Sequence, residues 1–314
     1  MENEKKRSFF RRTDRPDLLP EDTTPTLSYF FKLLWRKAGK LLTLNLFMIF
    51  LAAPIVVTIL LYFYSPTVPT VTSPLYAPFA GLYLAGNSPS AGIFLSFFGE
   101  PLDVPVPTDG RIAWMILLMA FLFLTFGWQH VGAYYNIRSL VRGDSCFLLS
   151  DYFYAIKKNW KQGLFFGMID FIVITLLGFD LYYFLLSTGD FLSGIFYAII
   201  IFLCLLYTVM RFYIYPMMIT FDLSIKKLLK NALIFSLLGI KRNLMALLGI
   251  ALILGANLFL IFFGLSRGVS VFIVLPFFYL LPLLSFIGVY AAYPNIKRYM
   301  IDPYEENATP PEAD

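Results

Sequence analysis

Apolar residues in this chain fall neither in strict alternation nor in a narrow helical stripe, but in long unbroken runs. A window of about 19 residues finds six, at roughly 41–64, 112–135, 163–186, 191–215, 243–263 and 270–293. About 20 apolar residues match the hydrocarbon thickness of a bilayer when helical. Backbone N–H and C=O groups find no partner in lipid, so only helices or closed barrels cross it, and these runs lack the period-two alternation of barrel strands. The pattern predicts an all-α membrane protein with six transmembrane helices. Composition agrees, with 59% hydrophobic residues, 14% charged residues and a mean hydropathy of +0.71, where soluble domains carry about a quarter charged residues.

Polar positions between the runs set the threading. Of the 25 lysines and arginines, all but Arg111 and Arg267 lie before the first run, in the second and fourth connections, or after the last; Arg211 is counted with the fourth. By the positive-inside rule both termini are cytoplasmic. The net charge of +5 is thereby accounted for by threading. It predicts anionic headgroups of the inner leaflet as partners and no nucleic acid, with Trp35, Trp160 and Tyr299 set beside the cations as interfacial anchors.

Residues 1–28 read as a flexible basic arm, 29–300 as the transmembrane domain and 301–314 as an acidic cytoplasmic tail. The stretch before the first run is too long and too charged for a signal peptide, so the first helix is read as uncleaved. The exterior segment 65–111 is too apolar for an ordinary loop and too broken by Pro and Gly to span. It is expected to cap the bundle or lie on the outer interface as one or two short helices, a re-entrant element being the alternative.

The entries to the odd-numbered spans resemble one another: "LLWRKAGKLLTLN" from Leu33, "YAIKKNWKQGLFF" from Tyr154 and "LGIKRNLMALLG" from Leu238. The exits "AYYNIR" from Ala133 and "AYPNIKR" from Ala292 also match. Three helical hairpins follow, spans 1–2, 3–4 and 5–6, each entered through a cytoplasmic amphipathic elbow helix. In the later elbows Ser150 or Asp151, and Asp222, are expected to cap the helix starts. Lys226, Lys227 and Lys230 share one face, with Leu229, Ala232 and Leu233 towards the other. With Lys157, Lys158, Lys161, Lys241 and Arg242 they form a candidate surface for lipid or a partner.

One residue contradicts its surroundings. Asp170 lies well inside the third run, roughly 13 Å above Lys161 at about 1.5 Å per residue. Gly163, Gly167, Asp170 and Ile174 fall on one helical stripe, and Gly163-x-x-x-Gly167 is a small-residue pattern for close helix approach. The carboxylate therefore belongs on a packed seam. An intramembrane charge is costly and needs a partner; Asn45, Asn257 and His130 are the candidates. Two readings stay open, a polar site for a proton, ion or solute, and a structural clasp between helices.

No metalloprotease, nucleophile-elbow or phosphate-loop pattern occurs, and no nucleophile and base can be assembled beside Asp170, so the expectation is a non-enzyme without cofactor or metal. Cys146 and Cys204 show no metal or redox spacing and read as packing residues.

"KNWKQ" at the entry to the middle span resembles the YesL family of bacterial inner-membrane proteins. So does the aromatic-Pro exit Tyr215-Pro216 running through Asp222 into an amphipathic helix, and "SPLYAP" near Ser73. The likeness covers most of 33–299; the long 65–111 segment and the acidic tail depart from the shorter family pattern. The resemblance implies the bacterial cytoplasmic membrane and an accessory or regulatory part in carbohydrate uptake, with a transporter or sensor subunit as partner. It implies no catalytic residues.

Overall fold

The computed structural model describes residues 24–68, 104–186, 191–269 and 271–306, nearly all of them helical. Most of the 1–28 arm, the interior of the 65–111 segment and the end of the tail lie outside the described residues, and with them the expectations for those stretches.

Helix α1 spans Leu27–Phe63, its start capped by Thr26, whose Oγ1 accepts the Tyr29 N–H at 3.2 Å. It runs straight through the sequence expected to form a first elbow. Nothing between Leu33 and Leu44 stops a helix except Gly39, which an interior tolerates at modest cost. The helix bends by 49° between Leu27–Phe50 and Ala52–Phe63, where Pro54 has no N–H for the Phe50 carbonyl. Two-residue strands β1 (Thr67–Val68) and β2 (Val104–Pro105) then pair antiparallel.

Next come α2 (Asp109–Arg142), α3 (Leu148–Lys158), α4 (Trp160–Leu186), α5 (Phe191–Thr220), α6 (Ile225–Leu238) and α7 (Ile240–Ser266). The last apolar run is not one helix. It divides into α8 (Val271–Val274), a 3₁₀ turn over Leu275–Phe278 and α9 (Leu280–Ile296), bent by 44°. Pro276 and Pro282 withhold the N–H groups that would continue the ladder across the break. A π turn, Lys297–Ile301, and the short α10 (Asp302–Glu306) follow. By length and composition α2, α4, α5 and α7 can each cross a membrane, and the two bent pairs raise the number to six. The chain is an all-α, multi-pass membrane protein.

The elbows ahead of spans 3 and 5 are separate helices, α3 and α6. Leu228, Ala232 and Phe235 make the buried stripe of α6 while Lys226, Lys227 and Lys230 are exposed; Leu233, expected inward, is 41% exposed. Capping also differs from expectation. Phe147 is the N-cap of α3, and Asp151 reaches back from the first turn to accept the Phe147 N–H at 2.8 Å. Ser224, not Asp222, is the N-cap of α6.

Buried side chains gather in the halves of the helices nearest the basic loops. Leu33, Leu44, Ile137, Phe166, Tyr213 and Phe286 are wholly buried, while Phe121, Phe179, Phe202 and Leu252 towards the other end are exposed. Water would not tolerate that second surface, which suits lipid.

Candidate functional site

The closest helix contact positions the site. A Cβ added to Gly127 of α2 would lie 1.9 Å from the Gly163 carbonyl oxygen and 2.6 Å from the Gly167 Cα. The small-residue pattern read in α4 therefore finds its counterpart in one glycine of α2, and backbone meets backbone. Trp128 Nε1 donates to the Trp160 carbonyl at 2.8 Å beside this contact.

One turn beyond Gly167, Asp170 is fully buried. Arg211 of α5 lies against it, with Nε 3.1 Å from Oδ1 and 3.2 Å from Oδ2. Tyr207 donates its hydroxyl to Oδ1 at 2.8 Å, and Tyr215 donates to Oδ2. Tyr207, Arg211 and Tyr215 recur every four residues, so one stripe of α5 supplies all three donors. Neutral donors and a guanidinium together satisfy a buried charge that either kind alone would leave short of partners.

His130 of α2 completes the group. A terminal guanidinium nitrogen of Arg211 lies 2.8 Å from His130 Nε2, and Nδ1 lies 2.8 Å from the Phe126 carbonyl. Arginine only donates, so Nε2 accepts and the ring is the neutral tautomer with its proton on Nδ1. The His130 ring stacks on Tyr215 at 5.0 Å, and Tyr134 stacks on that same tyrosine at 5.0 Å. Phe166 meets it edge-on at 5.5 Å. The carboxylate is held by an ion pair inside an aromatic box spanning α2, α4 and α5.

Of the four polar residues singled out in the sequence, the fold brings together Asp170 and His130 only. Asn45 donates to the Phe277 carbonyl in the broken last span, and its Oδ1 is buried without a partner among the described residues. Asn257 accepts the Tyr279 hydroxyl at 2.6 Å and donates to the Ile253 carbonyl at 2.8 Å. Both amides therefore face the break around Leu275–Tyr279, Asn45 supplying a partner to its irregular backbone and Asn257 holding the Tyr279 side chain.

Arg211 is the residue that sequence reasoning misassigned. Counting it with the cations of the fourth connection overlooks that it lies within the predicted run 191–215 and, in the fold, more than two turns before the end of α5 at Thr220. The four-residue spacing of Tyr207, Arg211 and Tyr215 was the signal that a polar stripe faces the carboxylate.

The amides of the repeated entry and exit motifs tie the basic end together. Asn243 donates to the Ser236 carbonyl at 2.9 Å and accepts the Tyr213 hydroxyl at 2.8 Å, while Asn295 donates to that hydroxyl oxygen at 3.0 Å. Asn136 donates to the Leu148 carbonyl at 2.9 Å and accepts the Cys146 thiol at 3.2 Å. Lys40 reaches the Cys146 carbonyl at 3.2 Å. Burial, with Asp151 nearby, pushes the Cys146 thiol up to about 11.

Lys157, Lys158, Lys161, Lys226, Lys227, Lys230 and Lys241 are exposed, and Arg242 is half-buried. Among the described residues no three His, Cys, Asp or Glu side chains are grouped to hold a metal ion. Comparison with models of known protein families, with curated proteins and with solved structures finds no match.

Proposed function

We propose that the chain is a non-enzymatic accessory or regulatory protein of the bacterial cytoplasmic membrane, associated with carbohydrate uptake. It works through its basic end, which faces the cytoplasm and contacts anionic headgroups and a transporter or sensor subunit. The observation that carries this reading is the saturation of Asp170. The carboxylate deep in the spans is bound by a guanidinium and two phenols, which favours a clasp over a proton-carrying site. The exposed elbow lysines are left as the chemistry directed outward. The uptake system itself comes from the YesL resemblance.

The test pairs two variants. Reversing Lys226, Lys227 and Lys230 to Glu is expected to release the transporter subunit from a mild-detergent preparation and to impair growth on its sugar. Asp170→Asn is expected to lower thermal stability and to leave proteoliposome flux unchanged. Abolished flux in a stably folded Asp170→Asn protein would establish the rival reading, a small-solute or proton-linked transporter.

A further inference from the structure

A cleft of about 830 Å³ opens at the basic end where three span exits converge. Arg142 comes from the end of α2, Thr220 and Leu223 from the exit of α5, Tyr293 from the last turn of α9 and Lys297 from the π turn that follows it. Its remaining walls include Phe221, Met300 and Ile301, so it joins apolar surface to a few charged groups, the usual make-up of a small-ligand site. The π turn Lys297–Ile301 forms one side, an irregularity frequent at functional sites.

The charges are not balanced. Gly143 ends α2 in the left-handed conformation at φ 81°, which turns the chain so that Asp144 Oδ2 meets Arg142 Nε at 3.1 Å. That contact engages one edge of the guanidinium and leaves its terminal nitrogens without a partner among the described residues. Lys297 is exposed and likewise has no partner there. Behind Thr220, Arg138 is 8% exposed and donates to the Thr220 hydroxyl at 2.7 Å and to the Ile219 carbonyl at 3.3 Å, while its Nε has no partner among the described residues. Asp222 and Asp302 neighbour lining residues but do not line the cleft. The lining thus holds two cations, Arg142 and Lys297, and one carboxylate, Asp144, which is already committed to Arg142.

We propose that this cleft binds a phosphate ester carried on an apolar body. A phosphate brings up to two negative charges and three strong acceptor oxygens, which suit the forked guanidinium of Arg142 and the ammonium of Lys297 together. The apolar walls take the remainder of the ligand. The same chemistry is supplied by an anionic phospholipid headgroup or by a soluble phosphorylated metabolite. The inference rests on the inner-face reading only in placing the cleft beside headgroups. Loss of the partner subunit from preparations would leave phosphate binding standing.

The test uses the full chain in nanodiscs of phosphatidylcholine, with and without phosphatidylglycerol, and titrates inorganic phosphate against chloride at matched ionic strength. The unfolding midpoint of the wild type is expected to rise with one probe. Arg142→Gln/Lys297→Gln is expected to weaken that probe's binding by about tenfold per cation removed. Met300→Trp keeps every charge but fills the cleft, and it is expected to abolish the gain. A rise with phosphatidylglycerol alone identifies a headgroup, and a rise with dissolved phosphate identifies a soluble ester. The proposal is overturned if neither probe shifts the wild type, if the charge variant responds like the wild type, or if Met300→Trp still binds.

Discussion

Gly127 and Gly167 leave no room for a methyl group between them: a Cβ on Gly167 would stand 2.3 Å from the Gly127 Cα. Spans 2 and 3 are therefore held at backbone contact, and the polar group one turn above depends on that spacing. Gly127→Ala must push the two helices apart. It is expected to destabilise the protein by about 1–3 kcal/mol, as overpacking does, in a reversible detergent-unfolding titration. Gly178→Ala, with nothing within 4 Å of its Cβ, is the control and should be neutral or slightly stabilising.

The Asp170–Arg211 pair should behave as a buried ion pair. Breaking one partner leaves an uncompensated charge and costs about 3–5 kcal/mol, whereas replacing both with apolar residues is far milder. Asp170→Leu and Arg211→Met are each expected to be strongly destabilising, and their combination less so than either. A double-mutant cycle on unfolding free energies measures the coupling, and additive single effects would contradict the pairing.

Tyr213 links two amides from different helices through one hydroxyl. Tyr213→Phe keeps the ring and leaves Asn243 Oδ1 and Asn295 Nδ2 without that partner. The expected loss is about 1–3 kcal/mol, with faster hydrogen exchange at the start of α7, where the elbow joins the span.

The Cys146 thiol supplies a pH dependence. An unfolded thiol titrates at about 8.5, and in the fold it is raised to about 11 by burial, with Asp151 adding to the shift. The unfolded state therefore loses its proton first. The thiol's contribution is whole below about 8.5 and falls away as the pH rises through 11. Cys146→Ser lacks this titration, so the stability difference between the two proteins should be flat at neutral pH and shrink in alkali. Maleimide should label Cys146 slowly at neutral pH until the protein is unfolded.

Hydropathy alone located the apolar runs, because hydrocarbon thickness constrains length and composition more than any local propensity does. The seam at Gly163 and Gly167 was legible for a similar reason, since small residues at helical spacing have few other uses in lipid. What escaped was whatever depended on where a helix stops. The last span's break follows from two prolines inside an otherwise continuous run, and hydropathy averages them away. The fused first elbow follows from the lack of a stop signal rather than from any positive mark. Asn45 and Asn257, expected beside Asp170, have other neighbours, because sequence carries no azimuth between helices. Arg211 lies inside the predicted run at 191–215, but a cation close to the basic end of a run carries no mark in sequence that separates an inward-facing ion pair from an interfacial anchor.

Tyr207, Arg211 and Tyr215 succeed one another at single-turn intervals along α5, and all engage a carboxylate fixed on α4. Sliding one span past the other by a turn, about 5.4 Å, would set a phenol where the guanidinium now lies and strand the positive charge. The stripe thus acts as a pawl that admits one register. A piston stroke of one span along the other would have to break the ion pair, whereas a small pivot about that tooth would leave it whole.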